Sequence, residues 1–253
     1  MNPIKHKEKY VTMKMVLSLV LAFCLLLPCS SIIVLAEEGN ISENVQYDPD
    51  SYDEKVLNIL DDELVLEVQD LIDTEISENP NITEDELNIK IMDYITQQYA
   101  AVPTPYGYLP QYESSLNSAE KSLYASNPVK GTFALSCAIN ATNTANSLFV
   151  SDALYLGNGD AFRHAYWCGL ITDGYGASYA KQWGDAHESN TPAGIDKTMD
   201  LRNNQSGINI ASGITGPYFA PRFQQELLSQ ISSGKLVRIV NNKLVATNGT
   251  GRK

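Results

Sequence analysis

From residue 129 to residue 211 the chain reads as four helices with short breaks between them, and this run constrains the fold more than any other feature. Residues 129–149 are rich in Ala, Ser, Thr and Asn, with Phe133, Cys137, Ala141 and Leu148 on one side. Such small side chains suit a helix that packs closely. Asn158-Gly159 interrupts, and residues 160–171 form the next helix. Asp173-Gly174-Tyr175-Gly176 reads as a turn before a helix over 177–188. A loop holding Pro192 leads to a helix over 196–211, with Gly207 as its weak point. A short helix over 118–125, ended by Asn127-Pro128, precedes the run. An amphipathic helix over 221–232, with Phe223, Leu227, Leu228 and Ile231, follows it. Residues 235–240 and 243–247 are β-type segments around Asn241-Asn242, a tight-turn pair. The expected class is mainly α: a helical domain over residues 106–253 with a small C-terminal β-hairpin, large enough for one core.

The N-terminal part differs in character. Lys5, Lys7, Lys9 and Lys14 precede an apolar run over 15–27, broken by Pro28, Ser30 and Ser31. Val34-Leu35-Ala36 then places small residues at −3 and −1. Residues 1–36 are therefore expected to be a secretion signal cleaved near Ala36, so that the chain is secreted and has no membrane segment afterwards. The alternative is an uncleaved anchor, since the apolar run approaches the ~20 residues that span a bilayer. Residues 37–99 carry 19 acidic and 2 basic side chains, whereas residues 100–253 are almost neutral. Residues 37–52 are expected to be disordered and residues 52–72 to form a helix on Leu57, Leu60, Leu64, Val68 and Leu71. A second helix over 83–99 opens with the capping box Thr83-Glu84-Asp85-Glu86. Together with a linker at Val102 to Gly107, this is an acidic helical segment over 37–105, expected to be a pro-segment or spacer. Neither part has the basic footprint of a nucleic-acid binder.

Two cysteines follow the signal, Cys137 and Cys168, and the sequence leaves open whether they pair or stay as buried thiols. Only two histidines follow it, and both fall in the helical run. Asp160 and His164 are four apart, so they share a helical face. Such a pair can bind a metal, or the carboxylate can orient the imidazole as a base. Arg163 flanks the histidine and can hold an anion. Trp183 and His187 are also four apart, which suggests that the indole stacks on the imidazole. Glu188 points about 100° away from His187, which suits a base better than a shared metal ligand. Asp185 reads as solvated. Asp200, Asn203 and Asn204 share one face of the last helix. For each residue alone, a buried hydrogen bond or an ion pair is the plainer explanation. Both histidines, four carboxylates and two amides on three successive helices make the combination stronger. The common metalloprotease, redox, serine-hydrolase and nucleotide-loop motifs are absent.

These residues carry a resemblance. D-A-F-R-H-A-Y-W at 160–167, A-H-E at 186–188 and M-D-L-R-N-N at 199–204 with Gly207 resemble a bacterial family of unknown function. It occurs in secreted and phage- or toxin-associated proteins. The resemblance reaches back to Asn127-Pro128-Val129-Lys130 and covers about the C-terminal half. Cys168 stands where relatives would have Asn, which argues against a ligand role for it. The order His164, His187-Glu188, Asp200 also follows that of helical metal phosphohydrolases, by analogy of order alone.

The expectation is a divalent metal, zinc first among the candidates, held by His164, His187, Asp200 and Asp160. Glu188 would act as general base, and Arg163 and Asn203 or Asn204 would hold the substrate. A metal-free variant would use His164 and Asp160 alone. The partner would be an extracellular phosphoester, lipid or cell-wall component. The alternative is a non-enzymatic module for an envelope component or partner protein, with the cluster as a structural hydrogen-bond network.

Overall fold

The computed structural model describes residues 45–101 and 116–253. The expected secretion signal, the eight residues after it and the expected linker lie outside the described residues. The chain folds into α1 (Asp62–Glu78), α2 (Glu84–Ala101), α3 (Ser118–Ser126), α4 (Pro128–Leu148), α5 (Asn158–His187), α6 (Ile195–Ser212) and α7 (Phe219–Ser232). Strands β1 (Val237–Val240) and β2 (Lys243–Ala246) close it as an antiparallel hairpin. The mainly helical class with a C-terminal hairpin is therefore as expected. Among the described residues, no helix is long and apolar enough to cross a membrane.

The caps explain where the helices begin. Asn127 ends α3 and starts α4, its side chain accepting from the Lys130 amide, with Pro128 in the first turn. The Thr83–Glu86 box forms at the start of α2: the Thr83 amide donates to Glu86 (2.8 Å), and the Glu86 amide donates to Thr83 Oγ1 (3.2 Å). The single helix expected over 52–72 is corrected. A 3₁₀ segment, Glu54–Ile59, stops at Leu60, and α1 begins only at Asp62. Asp61 causes the break, because its carboxylate accepts from the Leu64 amide (2.9 Å) as an N-cap. The disorder expected up to residue 52 is also corrected for its described part. Tyr47 is buried and donates to the Ala125 carbonyl (2.6 Å).

The expected turn at 173–176 shrinks to one residue. Helix α5 runs through Gly174 and breaks only at Gly176, which adopts φ 83°, ψ 164°. Only glycine takes that conformation readily. The two halves of α5 are thus one kinked element, and both pack on α6.

One hydrophobic core runs from Tyr47 to Leu236. Val68, Ile91 and Ile95 of the acidic hairpin are fully buried in it with Phe162, Ile171, Trp183 and Met199. A column of rings crosses it, from Phe149 through Phe162 and Tyr166 to Phe223, with centroids 5.0–5.6 Å apart. Cys137 and Cys168 are both buried free thiols, and burial raises the pKa of each.

The C-terminal hairpin fixes the start of α5. Asn241 and Asn242, both at positive φ (50° and 56°), make its turn. The Ile239 amide donates to the Leu156 carbonyl (2.8 Å), and Asn158 bonds Asn248 and Thr250. Leu156 is itself left-handed (φ 56°), and its amide donates to Asp160 Oδ2 (2.7 Å). The hairpin therefore holds the turn that aims Asp160 inward.

Candidate metal centre and its groove

Asp160 and His164 stand one turn apart on α5, and α6 brings Asp200 against them. His164 Nε2 lies 3.6 Å from Asp160 Oδ1 and 3.4 Å from Asp200 Oδ1. One ligand atom from each of the three falls within 4.8 Å of the others. These separations are too long for hydrogen bonds. Both are near the donor–donor edge of about 3.3–3.4 Å in a tetrahedral zinc site, while the Asp160–Asp200 edge lies within 4.8 Å. The geometry is thus that of a possible Asp/His/Asp cation site.

Burial shapes the charge here. His164 is 3% exposed, and its pKa is driven well below the ordinary value by burial, by Arg163 and by His187, with Asn204 opposing. The imidazole is neutral, as a metal ligand must be. Asp200 is pushed up to about 7 by burial and then by the charges of Asp160 and Glu188, with Arg163 and His187 opposing. Several buried polar atoms here lack a hydrogen-bond partner: His164 Nδ1, Asp200 Oδ1, Glu188 Oε2 and both amide atoms of Asn204. Such groups are rare in folded proteins and costly.

Arg163 supplies the local positive charge. Its Nη2 donates to Asp160 Oδ1 (2.7 Å) and to His164 Nε2 (2.9 Å). That fixes the proton of His164 on Nδ1. The guanidinium stands on the same donor atoms that a cation would take. Its side chain is 34% exposed, so it has a path outward.

The structure separates the other expected residues. His187 is not among the three clustered ligands. Its ring lies 6.0 Å from that of His164, and its Nδ1 bonds Glu120 Oε1 at 2.8 Å. The expected Trp183–His187 stack is corrected: Trp183 is fully buried, and the ring against His187 is Trp167, edge-on at 5.3 Å. The kinked α5 folds its end back toward its own start, so Trp167, from its first half, meets His187. Glu188 is buried at the end of α5, close enough to raise the pKa of Asp200. Asn204 is buried beside His164. Asp185 is exposed and pairs with Lys181 (2.6 Å).

Asn203 is not brought to the site, which corrects its expected role. Its amide donates to the Val237 carbonyl (2.9 Å) and accepts from the Val237 amide (3.1 Å), clamping β1 to α6. Asn203→Ala is expected to destabilise the protein by ~2 kcal/mol, because it orphans a backbone donor and acceptor together. Denaturant titration measures this, and cation binding should be unchanged.

Glu120 was not foreseen. Its Oε2 accepts from the Asn117 amide (2.8 Å) to close a capping box on α3, and its Oε1 meets His187. Asn117 also donates to the Ala186 carbonyl at the end of α5 (2.8 Å). The Asn117-x-x-Glu120 box was the available signal, but it gives no hint that the carboxylate also reaches across to another helix.

Beside the cluster lies an open groove of about 170 Å³. Arg163, Trp167, His187 and Glu120 line one side of it. Leu60, Asp61, Asp62 and Val65, from the acidic N-terminal region, line the other.

Residues 121–235 match a family described as a domain of unknown function, DUF6973. The match contains Asp160, His164, His187, Glu188 and Asp200. No curated protein and no solved structure matches the chain.

Proposed function

We propose that Asp160, His164 and Asp200 bind a divalent cation, zinc first among the candidates, and that the chain is a secreted hydrolase. Its substrate would be an extracellular phosphoester, lipid headgroup or cell-wall component. The observation that carries this reading is the donor spacing of 3.4 and 3.6 Å around a neutral, buried imidazole. The charge balance supports it. Asp160, Asp200 and Glu188 crowd one buried region against Arg163, and two further cationic charges would relieve the crowding. When bound, such a cation polarises a substrate oxygen and eases the deprotonation of water. Arg163, displaced outward, would then face the substrate in the groove.

A second reading is favoured by Arg163 itself. With Nη2 at 2.7 and 2.9 Å from Asp160 and His164, the cluster is already bridged by a cation. In that reading it is a structural network in a non-enzymatic module that binds an envelope component or a partner protein.

Calorimetric titration of the chelator-treated chain with zinc separates the two. The hydrolase reading expects one equivalent bound, and binding weakened at least 100-fold in Asp160→Asn. Absence of binding by the unmodified chain would leave the network reading standing.

A further inference from the structure

The groove contains a second carboxylate–imidazole pair that the cation site does not use. Glu120 is 4% exposed and held from two sides, by the Asn117 amide on Oε2 and by His187 Nδ1 on Oε1. Its position is set by a helix cap, so it cannot drift. The His187 ring is the opposite case: its side chain is 42% exposed and it forms part of the groove surface. Trp167 stands edge-on against the ring at 5.3 Å, and the indole is itself anchored by donating to the Ala134 carbonyl (2.9 Å). Carboxylate and indole together fix the plane of the imidazole. With Nδ1 committed to Glu120, Nε2 is the nitrogen left to exchange protons.

We propose that His187 is the proton-transfer residue of this site, that Glu120 is its positioning residue, and that the substrate lies in the groove between α1 and the α4–α5 pair. This rests on the hydrolase reading above but moves the proton-transfer role from Glu188 to His187. Glu188 is 2% exposed and is not among the residues that line the groove, whereas His187 is. The step balances with water alone. The water oxygen bonds to the electrophilic carbon or phosphorus while its proton goes to His187 Nε2. The bond to the leaving group breaks, and the leaving group takes that proton from His187. Burial lowers the pKa of His187, but Glu120 and then Glu188 outweigh it and raise the pKa above the ordinary value. Glu120 keeps a proton on Nδ1, and Nε2 presents a lone pair in the form that has released its own proton.

The groove also narrows the substrate class. Leu60 and Val65 of the N-terminal region and Leu135 and Ile139 of α4 give the groove apolar surface, while Arg163, His187, Asp61 and Asp62 bring charged groups to its lining. A substrate that fits carries an apolar segment beside a polar ester. An extended polyanion would meet the two aspartates and is disfavoured. The acidic N-terminal region is thus one wall of the site.

The test uses the full secreted chain and two readouts. The first needs no substrate. Above the raised pKa of His187, nitrogen-15 spectra should show its proton on Nδ1 in the unmodified chain and mixed tautomers in Glu120→Gln. Diethyl pyrocarbonate should modify His187 and spare His164. The second is hydrolysis of p-nitrophenyl acetate and bis-p-nitrophenyl phosphate by the zinc-treated chain. His187→Gln should lose at least 100-fold in kcat with zinc binding intact. Glu120→Gln should lose about 10-fold in kcat with KM little changed. Asp160→Asn should lose zinc. A full rate in His187→Gln, an unmodified His187, or no hydrolysis of either ester overturns the proposal. Zinc binding that survives any of these results leaves the cation site standing. Absence of zinc binding with the His187 signatures intact fails the cation site instead.

Discussion

Asp200→Asn is expected to make the cation-free protein more stable at pH 8 while abolishing cation binding. The Asp200 carboxyl is raised from 3.8 to about 7 by burial and by Asp160 and Glu188. Between about pH 4 and pH 7 the folded state therefore holds a proton that the unfolded chain has released. Stability then falls as pH rises through this window, and the full cost is present above it. A rise of this size corresponds to ~4 kcal/mol. Asparagine keeps the shape and removes the charge, so the expected gain at pH 8 is roughly 2–4 kcal/mol. At pH 4 the two proteins should be nearly equal. Denaturant melts at both pH values measure the difference. A cation added to the unmodified chain should restore the same stability by binding only the folded state. A variant that is less stable at pH 8 would show that Asp200 is held by a structural network.

Gly207→Ala is expected to be among the most damaging single changes. A Cβ there would lie 1.9 Å from the Ala165 carbonyl oxygen and 2.6 Å from its carbon. Both are backbone atoms, so no rotamer change relieves the clash, and α6 must move away from α5. The usual gain of ~1 kcal/mol from Gly to Ala in a helix is outweighed. The expected loss is upwards of ~3 kcal/mol. The contact sits next to His164 and two turns from Asp200, so any separation opens the Asp/His/Asp triangle. Zinc binding should fall even where the variant still folds. Thermal melts with a parallel zinc titration test both parts. A fold of unchanged stability would mean that the two helices do not approach this closely.

Much of this architecture was legible in the sequence because local rules wrote it. Asn127-Pro128, the Thr83–Glu86 box and Asn241-Asn242 mark their boundaries by side-chain chemistry alone. Asp160 and His164 were readable as a pair because helical periodicity puts them on one face. Elsewhere, competition between side-chain roles or long sequence separation hides the structure from local rules. Asp61 looked like one more polar residue of a helix, but its carboxylate does better as a cap. Tyr47 sits in a polar stretch, and only tertiary packing against Ala125 buries it. The i,i+4 spacing points His187 to Trp183, but the kink at Gly176 brings Trp167 against it instead. Glu120 and His187 are 67 positions apart, and no spacing rule joins them. Asn203 had the right chemistry for a ligand, but β1 takes both of its amide functions.

Whether Asp160, His164 and Asp200 hold a cation can be seen in crystals grown with zinc and measured at the zinc absorption edge. One anomalous peak is expected about 2.0–2.2 Å from a carboxylate oxygen of Asp160, from His164 Nε2 and from an oxygen of Asp200. Arg163 should be turned out into the groove. An empty triangle, with Arg163 still bridging Asp160 and His164, would contradict it.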